Sequence, residues 1–146
     1  MRVKVLRDGP PTTYACVLEK GEEFVQALRD FAKDRMLTGS HFTAIGAFSR
    51  VTLGYFDRGV KDYKRIPVDE QVEVLSLIGN IALAEGGPKV HAHVVLGKSD
   101  GTAHGGHILD AQVWPTLEVI LEESPTHLQR RTDRETGLAL IDMSPG

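Results

Sequence analysis

Val90-His91-Ala92-His93-Val94-Val95-Leu96-Gly97-Lys98-Ser99-Asp100-Gly101-Thr102-Ala103-His104-Gly105-Gly106-His107-Ile108-Leu109 holds four of the chain's six histidines and reads as two strands folded back on each other. Ser99-Asp100-Gly101 suits a three-residue hairpin loop, a type I turn followed by a left-handed residue, where Gly is favoured last. That loop pairs Lys98 with Thr102 and, followed back along both strands, sets His93 opposite His107 with His91 on the diagonal. Residues two apart on a strand leave the same face, so His91 and His93 project together. Directly opposed residues share that face, with Cβ atoms about 4.5–5.5 Å apart. Three imidazoles therefore converge, close enough for metal–nitrogen bonds of roughly 2.0–2.1 Å.

The same register sends His104 to the other face. A bulge at Gly105-Gly106 would bring it back, which makes His104 a reserve ligand. The two glycines also remove side chains beside the site, so a ligand or a second chain could approach the backbone. A three-histidine set leaves one coordination position open, as catalytic zinc sites do, whereas structural zinc sites are closed by four ligands. Neutral imidazole suits zinc first, and also nickel, copper or iron. A metal-bound water would need a general base, for which Asp110 and Glu118 are the candidates. The plainer alternative is that these histidines make polar contacts at a subunit interface. Val94-Val95-Leu96-Gly97-Lys98 supplies no glutamate after the His-x-His pair, so a cupin-type ligand set is excluded. No Gly-x-Ser-x-Gly elbow, phosphate-binding loop or dinucleotide fingerprint occurs.

On either side of the hairpin the apolar pattern keeps a period of two. It does so at 2–6, 13–19, 41–48, 51–56, 72–84, 89–96, 102–111, 116–121 and 138–141. Gly46 and Gly54 interrupt two of these runs, as bulges or close approaches of backbone do. One segment changes period. Phe24, Ala27, Leu28, Phe31 and Ala32 share a helical face, which predicts an amphipathic helix over 22–37, with Glu22 and Glu23 in its first turn and Gly39 marking its end. The expected fold is α+β: a mainly antiparallel sheet of about seven strands with one main helix. The chain reads as one domain over 1–143 with a frayed tail at 144–146, and Trp114 before Pro115 as a packing residue at a turn.

With 146 residues, 41% of them hydrophobic and 25% charged, the chain can bury a core and carries no disorder signature. The net charge of −3 and a pI near 6.1 lack the basic excess of a domain that grips DNA through its phosphates. Basic residues do gather at Arg2, Lys4 and Arg7, at Arg58, Lys61, Lys64 and Arg65, and at Arg130, Arg131 and Arg134. Asp8, Asp57, Asp62, Asp133 and Glu135 interrupt or flank every group. Aromatic residues able to stack on bases are few, chiefly Tyr55, Phe56 and Tyr63. A lone Cys16 forms no internal disulfide and reads as a small buried hydrophobe. No signal-peptide pattern or apolar run of membrane-spanning length is present, so the expectation is a soluble, cytoplasmic protein with no membrane partner.

Glu73-Val74-Leu75-Ser76-Leu77-Ile78-Gly79-Asn80, then Val90-His91-Ala92-His93, Asp100-Gly101, Gly105-Gly106-His107-Ile108-Leu109 and the closing Leu117-Glu118-Val119-Ile120-Leu121 together resemble the PPC domain, the "plants and prokaryotes conserved" domain, in its standalone prokaryotic type. The resemblance covers nearly the whole chain. It implies an antiparallel α+β domain assembled as a homotrimer, with a metal site whose histidines fall on His91, His93 and His107. No Arg-Gly-Arg-Pro AT-hook, which reads the minor groove in the plant proteins, occurs in these residues. The plant partner-binding hexapeptide Gly-Arg-Phe-Glu-Ile-Leu stands here as Glu70-Gln71-Val72-Glu73-Val74-Leu75. Three function classes follow. The resemblance puts first a DNA-associated or regulatory assembly module carrying a three-histidine divalent-metal site. The others are a metal-dependent small-molecule-binding module, and a hydrolase or lyase using metal-bound water.

Overall fold

In the computed structural model, which describes residues 1–144, one sheet carries nine strands among the described residues and one helix packs on it. The strands are β1 (Arg2–Arg7), β2 (Thr12–Glu19), β3 (Gly39–Asp57), β4 (Asp62–Val68), β5 (Val72–Ala84), β6 (Gly87–Gly97), β7 (Ala103–Glu123), β8 (Gln129–Thr132) and β9 (Ala139–Asp142), with α1 at Phe24–Asp34. Every pairing is antiparallel except the single parallel contact of Leu83 in β5 with Gln129 in β8. The sheet runs β1-β2-β7-β3-β5-β8-β9, while β4 adds to β3 and β6 joins β5 to β7. Because β6 pairs on both edges, β3, β5, β6 and β7 close a ring of hydrogen bonding. The α+β class holds, with more strands than expected because the polar segments of β4 and β8 also pair.

Two long strands dominate, and each merges runs that the sequence separates. Residues 41–48 and 51–56 are one strand, β3; residues 102–111 and 116–121 are one strand, β7. They pair along most of their length and bend together through register shifts at Gly46/Phe48, Phe48/Arg50 and Thr52/Leu53. Gly46 sits at φ +146 against the backbone of Thr116, where any Cβ would collide with the Thr116 carbonyl. Trp114 and Pro115 lie within β7 at this bend, not at a turn; proline's missing donor is tolerated where the ladder is interrupted.

The helix is shorter than its apolar face suggests. Glu23 is its N-cap: the carboxylate accepts from the Val25 and Gln26 amides at 3.2 and 2.7 Å, and from Ala111 N–H of β7 at 3.0 Å. The acidic pair therefore precedes the first turn: Glu23 serves the orphan amide donors, while Glu22 accepts from the Met1 ammonium and from Glu19 N–H. The helix also ends well before Gly39. Met36 takes a left-handed conformation at φ 54, its N–H bonds to Lys33 O at 3.2 Å, and Leu37 N–H reaches back to Ala32 O at 2.8 Å. This is a Schellman closure with Met in the place usually given to Gly, and it seats the buried Leu37 under the helix.

The helix buries Phe24, Leu28, Phe31 and Ala32 against the inner face of the sheet. Phe24 packs on Phe42 and Phe48 at 6.1 and 6.2 Å, and Tyr14 meets Phe31 edge-on at 5.2 Å. Cys16 is fully buried in this core, and burial pushes its thiol up to about 11. The other sheet face is open and carries Ile45, Leu75, Ile78, Val95 and Ile120, all exposed. No described helix is long and apolar enough to cross a membrane. At the chain end, Ser144 is exposed and its N–H donates to Asp142 Oδ1 at 2.9 Å; residues 145–146 of the expected tail lie outside the described residues.

Candidate metal centre

The hairpin between β6 and β7 forms as its turn chemistry dictates. Gly101 is left-handed at φ +81, its N–H reaches Lys98 O at 3.0 Å, and Lys98 N–H donates to Thr102 O at 2.9 Å. The pairing runs unbroken from Gly97 opposite Ala103 to His93 opposite His107. His91, two residues along β6, projects from the same face. His91, His93 and His107 each offer one ring nitrogen within 4.8 Å of the others, and their ring centroids lie 5.1–5.3 Å apart.

His91 Nε2 and His93 Nε2 face each other at 3.2 Å, where two lone pairs must share either a proton or a cation. His107 Nδ1 is buried with no hydrogen-bond partner among the described residues. Burial holds the imidazoles of both His91 and His107 down at about 4. The charges of Arg130, His93 and Lys89 add to this for His91, and those of His91, His93 and Lys89 for His107. Both rings are therefore neutral at neutral pH, which is the state that donates a lone pair to a metal.

The structure leaves the remaining candidates out of the cluster. His104, opposite Leu96, is exposed and turned to the other face, because no bulge forms at Gly105-Gly106. Those glycines instead sit close to neighbouring backbone: a Cβ on Gly105 would collide with the Val94 carbonyl at 2.9 Å, and one on Gly106 would stand tightly against the Gly54 carbonyl at 3.1 Å. The bulge in this part of β7 falls at Leu109, which brings Asp110 round to the His107 face. Asp110 is nonetheless engaged elsewhere, accepting from Arg65 Nη2 at 2.9 Å and from Thr52 Oγ1 at 3.0 Å. Glu118 lies opposite Ile45, at a shallow apolar depression of the open sheet face.

Three residues that sequence reading does not assign to the site complete it. Tyr63 of β4 stacks on His107 with centroids 4.6 Å apart and planes 21° from parallel. It reaches there across Gly54, whose missing Cβ leaves room for the ring. Asn80 of β5 sits directly opposite His91, and its Oδ1 accepts from Arg130 Nη2 at 2.6 Å. Arg130 of β8 is 6% exposed; it also donates to Ala139 O at 2.8 Å and lies 3.4 Å from His91 Nδ1. In sequence Arg130 reads as one of a surface trio, and only the alternation of β8, which turns Gln129 and Arg131 outward, marks it as different. A cavity of ≈ 100 Å³ opens between Tyr63, Lys89, His91, His107, Arg130 and Leu140.

The family model for the Plants and Prokaryotes Conserved (PCC) domain matches residues 7–125. Among solved structures, a plant- and prokaryote-conserved protein of Pyrococcus horikoshii is 32% identical, with a TM-score of 0.85 over 99% of this chain and 96% of that one. A metal-containing protein of Archaeoglobus fulgidus is 33% identical, with a TM-score of 0.84 over 94% and 98% of the two chains. A protein of Bacteroides thetaiotaomicron, described as a candidate DNA-binding protein, is 28% identical, with a TM-score of 0.87 over 96% of each. No curated protein matches the sequence.

Proposed function

The chain belongs to the Plants and Prokaryotes Conserved domain family, and from that membership we propose a divalent-metal-binding assembly module in which His91, His93 and His107 hold the ion, zinc first, and leave one position open to a small ligand. The observation that carries the reading is the convergence of three imidazoles, each offering a ring nitrogen within 4.8 Å of the others, with the Nδ1 atom of His107 buried and unpartnered among the described residues. The donor set fits the group: nitrogen ligands in tetrahedral reach, no competing carboxylate, and a closely facing nitrogen pair that a cation would reconcile. A bound ion would supply Lewis-acid polarisation of a ligand oxygen or of water. The chain's own residues do the positioning: Tyr63 fixes the plane of the His107 ring, and the hairpin register fixes His93. The metal-containing relative from Archaeoglobus fulgidus supports the reading. A hydrolytic or lyase role lacks the carboxylate base it calls for, since neither Asp110 nor Glu118 joins the cluster.

The open sheet face supports assembly. Ile45 and Ile78 are 60% and 58% exposed there, and Ile78 stands directly opposite His93. A homotrimer that covers this apolar surface would bring a second chain up to the metal position. Elemental analysis of chelator-free protein beside His91→Ala/His93→Ala, with the mass in solution measured on both, tests the proposal. About one metal per chain in the parent, lost in the variant, with a mass of three chains, is expected. No metal in either protein, at unchanged mass, would leave the histidines as interface residues.

The second reading, DNA association, is favoured by the candidate DNA-binding relative. Against it, Arg2, Arg65, Lys98 and Arg131 are neutralised in ion pairs with Glu19, Asp110, Glu70 and Asp142. It requires duplex binding whose affinity falls steeply as salt rises; fluorescence anisotropy showing no binding at low salt would end it.

A further inference from the structure

Arg130 is a buried cation without a counter-ion. Its contacts go to a carbonyl, an amide oxygen and an imidazole; no carboxylate among the described residues lies within 4.0 Å, and its Nε–H has no acceptor. An unpaired buried charge is among the costliest features a fold can carry. The cavity beside it adds Lys89 and two of the three histidines and no acidic side chain, so every charge at its wall is positive. The rest of the wall is Tyr63 and the apolar Val90, Leu138, Ala139 and Leu140. The volume of ≈ 100 Å³ is about three waters' share of liquid, too small for a nucleotide or a sugar phosphate.

His91 adds an independent reason. When its Nε2 binds a metal, its Nδ1 carries the proton, and an Nδ1–H 3.4 Å from the Arg130 guanidinium sets donor against donor. Metal-ligating histidines ordinarily donate that second N–H to an acceptor, often a carboxylate. None is supplied by the described residues of this chain.

We propose that this cavity is a binding site for a small monocarboxylate of two or three carbons, held by Arg130 and coupled to the metal position through the Nδ1–H of His91. The carboxylate accepts from Arg130 and from His91, and its short alkyl end lies on Leu138 and Leu140. Only the coupling rests on the metal reading; the Arg130 contact stands without a metal. Because the two ligands share one imidazole, each tightens the other by the same factor.

The experiment uses acetate as probe and acetamide as its uncharged isostere. Zinc affinity is measured by chelator competition with and without each. Saturating acetate is expected to tighten zinc about tenfold, the lower end of what second N–H partners contribute, and acetamide to leave it unchanged. In Arg130→Met the zinc affinity, measured against that variant's own acetate-free value, should no longer respond to acetate. An acetate effect that survives in Arg130→Met would put the anion on the metal's open position and overturn the proposal. Should Arg130→Met fail to fold, the comparison of acetate with acetamide on the parent decides alone, and equal behaviour of the two overturns it. Ligand-observed NMR on metal-free protein separates the two readings. Acetate that binds there and acetamide that does not would uphold the Arg130 site even if no zinc binds; acetate that binds in neither form would refute it.

Discussion

Replacing Gly54 by Ala should uncouple the aromatic support of the histidine cluster from the sheet. Gly54 lies in β3 between Arg65 of β4 and His107 of β7, and an added Cβ would stand 2.7 Å from Tyr63 Cδ1 and 3.2 Å from Leu109 Cγ. The Leu109 side chain need yield only a few tenths of an ångström, but the Tyr63 ring must lift by most of an ångström to restore an ordinary contact. It then loses its stack on His107 at 4.6 Å and its edge contact with Phe56 at 5.4 Å. Overpacking of this kind costs about 1–3 kcal/mol, to which loss of an aromatic pair contributes roughly 0.5–1.5 kcal/mol. Against it, Gly→Ala in ordinary extended backbone removes unfolded-state entropy worth about 0.4–1 kcal/mol. The net expectation is a loss of about 1–2 kcal/mol, which for a chain of this size lowers the melting temperature by about 3–8 °C. Thermal denaturation followed by circular dichroism reads this directly, and a double-mutant cycle with Tyr63→Ala isolates the cause. In the Tyr63→Ala background the clash partner is gone, so Gly54→Ala should be neutral or mildly stabilising. An equal cost in both backgrounds would refute the reasoning and move the effect to Leu109 or to the backbone.

Three further outcomes follow from the same structure. His91 and His107 are held at about 4 in the fold and return to about 6.5 on unfolding, so the unfolded chain takes up protons first. Stability of metal-free protein is therefore full above about pH 6.5 and falls towards pH 4, by at most about 3 kcal/mol per ring and by about half that once solvent screening of these half-buried groups is allowed for. Denaturation midpoints that stay level between pH 7 and pH 5, above the carboxylate range, would contradict this. Met36→Gly relieves a left-handed methionine at the helix end and should stabilise by about 0.5–1 kcal/mol; a loss in chemical denaturation would show that the Met36 side chain contributes more than its strain. Asp110→Asn breaks a solvent-exposed ion pair with Arg65, so a change below about 1 kcal/mol is expected with metal content untouched. A drop in bound metal on elemental analysis would return Asp110 to the site.

How far the sequence reached varies with the range of the interaction. The β6–β7 hairpin was legible because three residues, Ser99-Asp100-Gly101, set both turn and register, and register alone carries His93 to His107. The core face of α1 was equally plain from its spacing. Its ends were not: Glu23 became a cap because β7 offers the Ala111 amide to the same carboxylate, and Met36 accepts strain because burying Leu37 closes the helix. Neither is visible in helix propensity. The merging of runs into β3 and β7 was hidden for a related reason, since their bends occur where two distant strands must bulge in concert.

Local chemistry in the sequence thus determined the α+β class, the amphipathic helix and the three imidazoles on one face, because periodicity and turn geometry act over a few residues. The tertiary structure alone decided what surrounds those imidazoles. Tyr63 reaches His107 only because β4 pairs with β3 across a glycine, Asp110 is drawn away by Arg65, and Arg130 turns inward because β8 meets β5 through a single parallel pair. Each of these depends on contacts between segments tens of residues apart. Burial, and with it the neutral state of His91 and His107, is a property of that packing and is written in no short stretch of the chain.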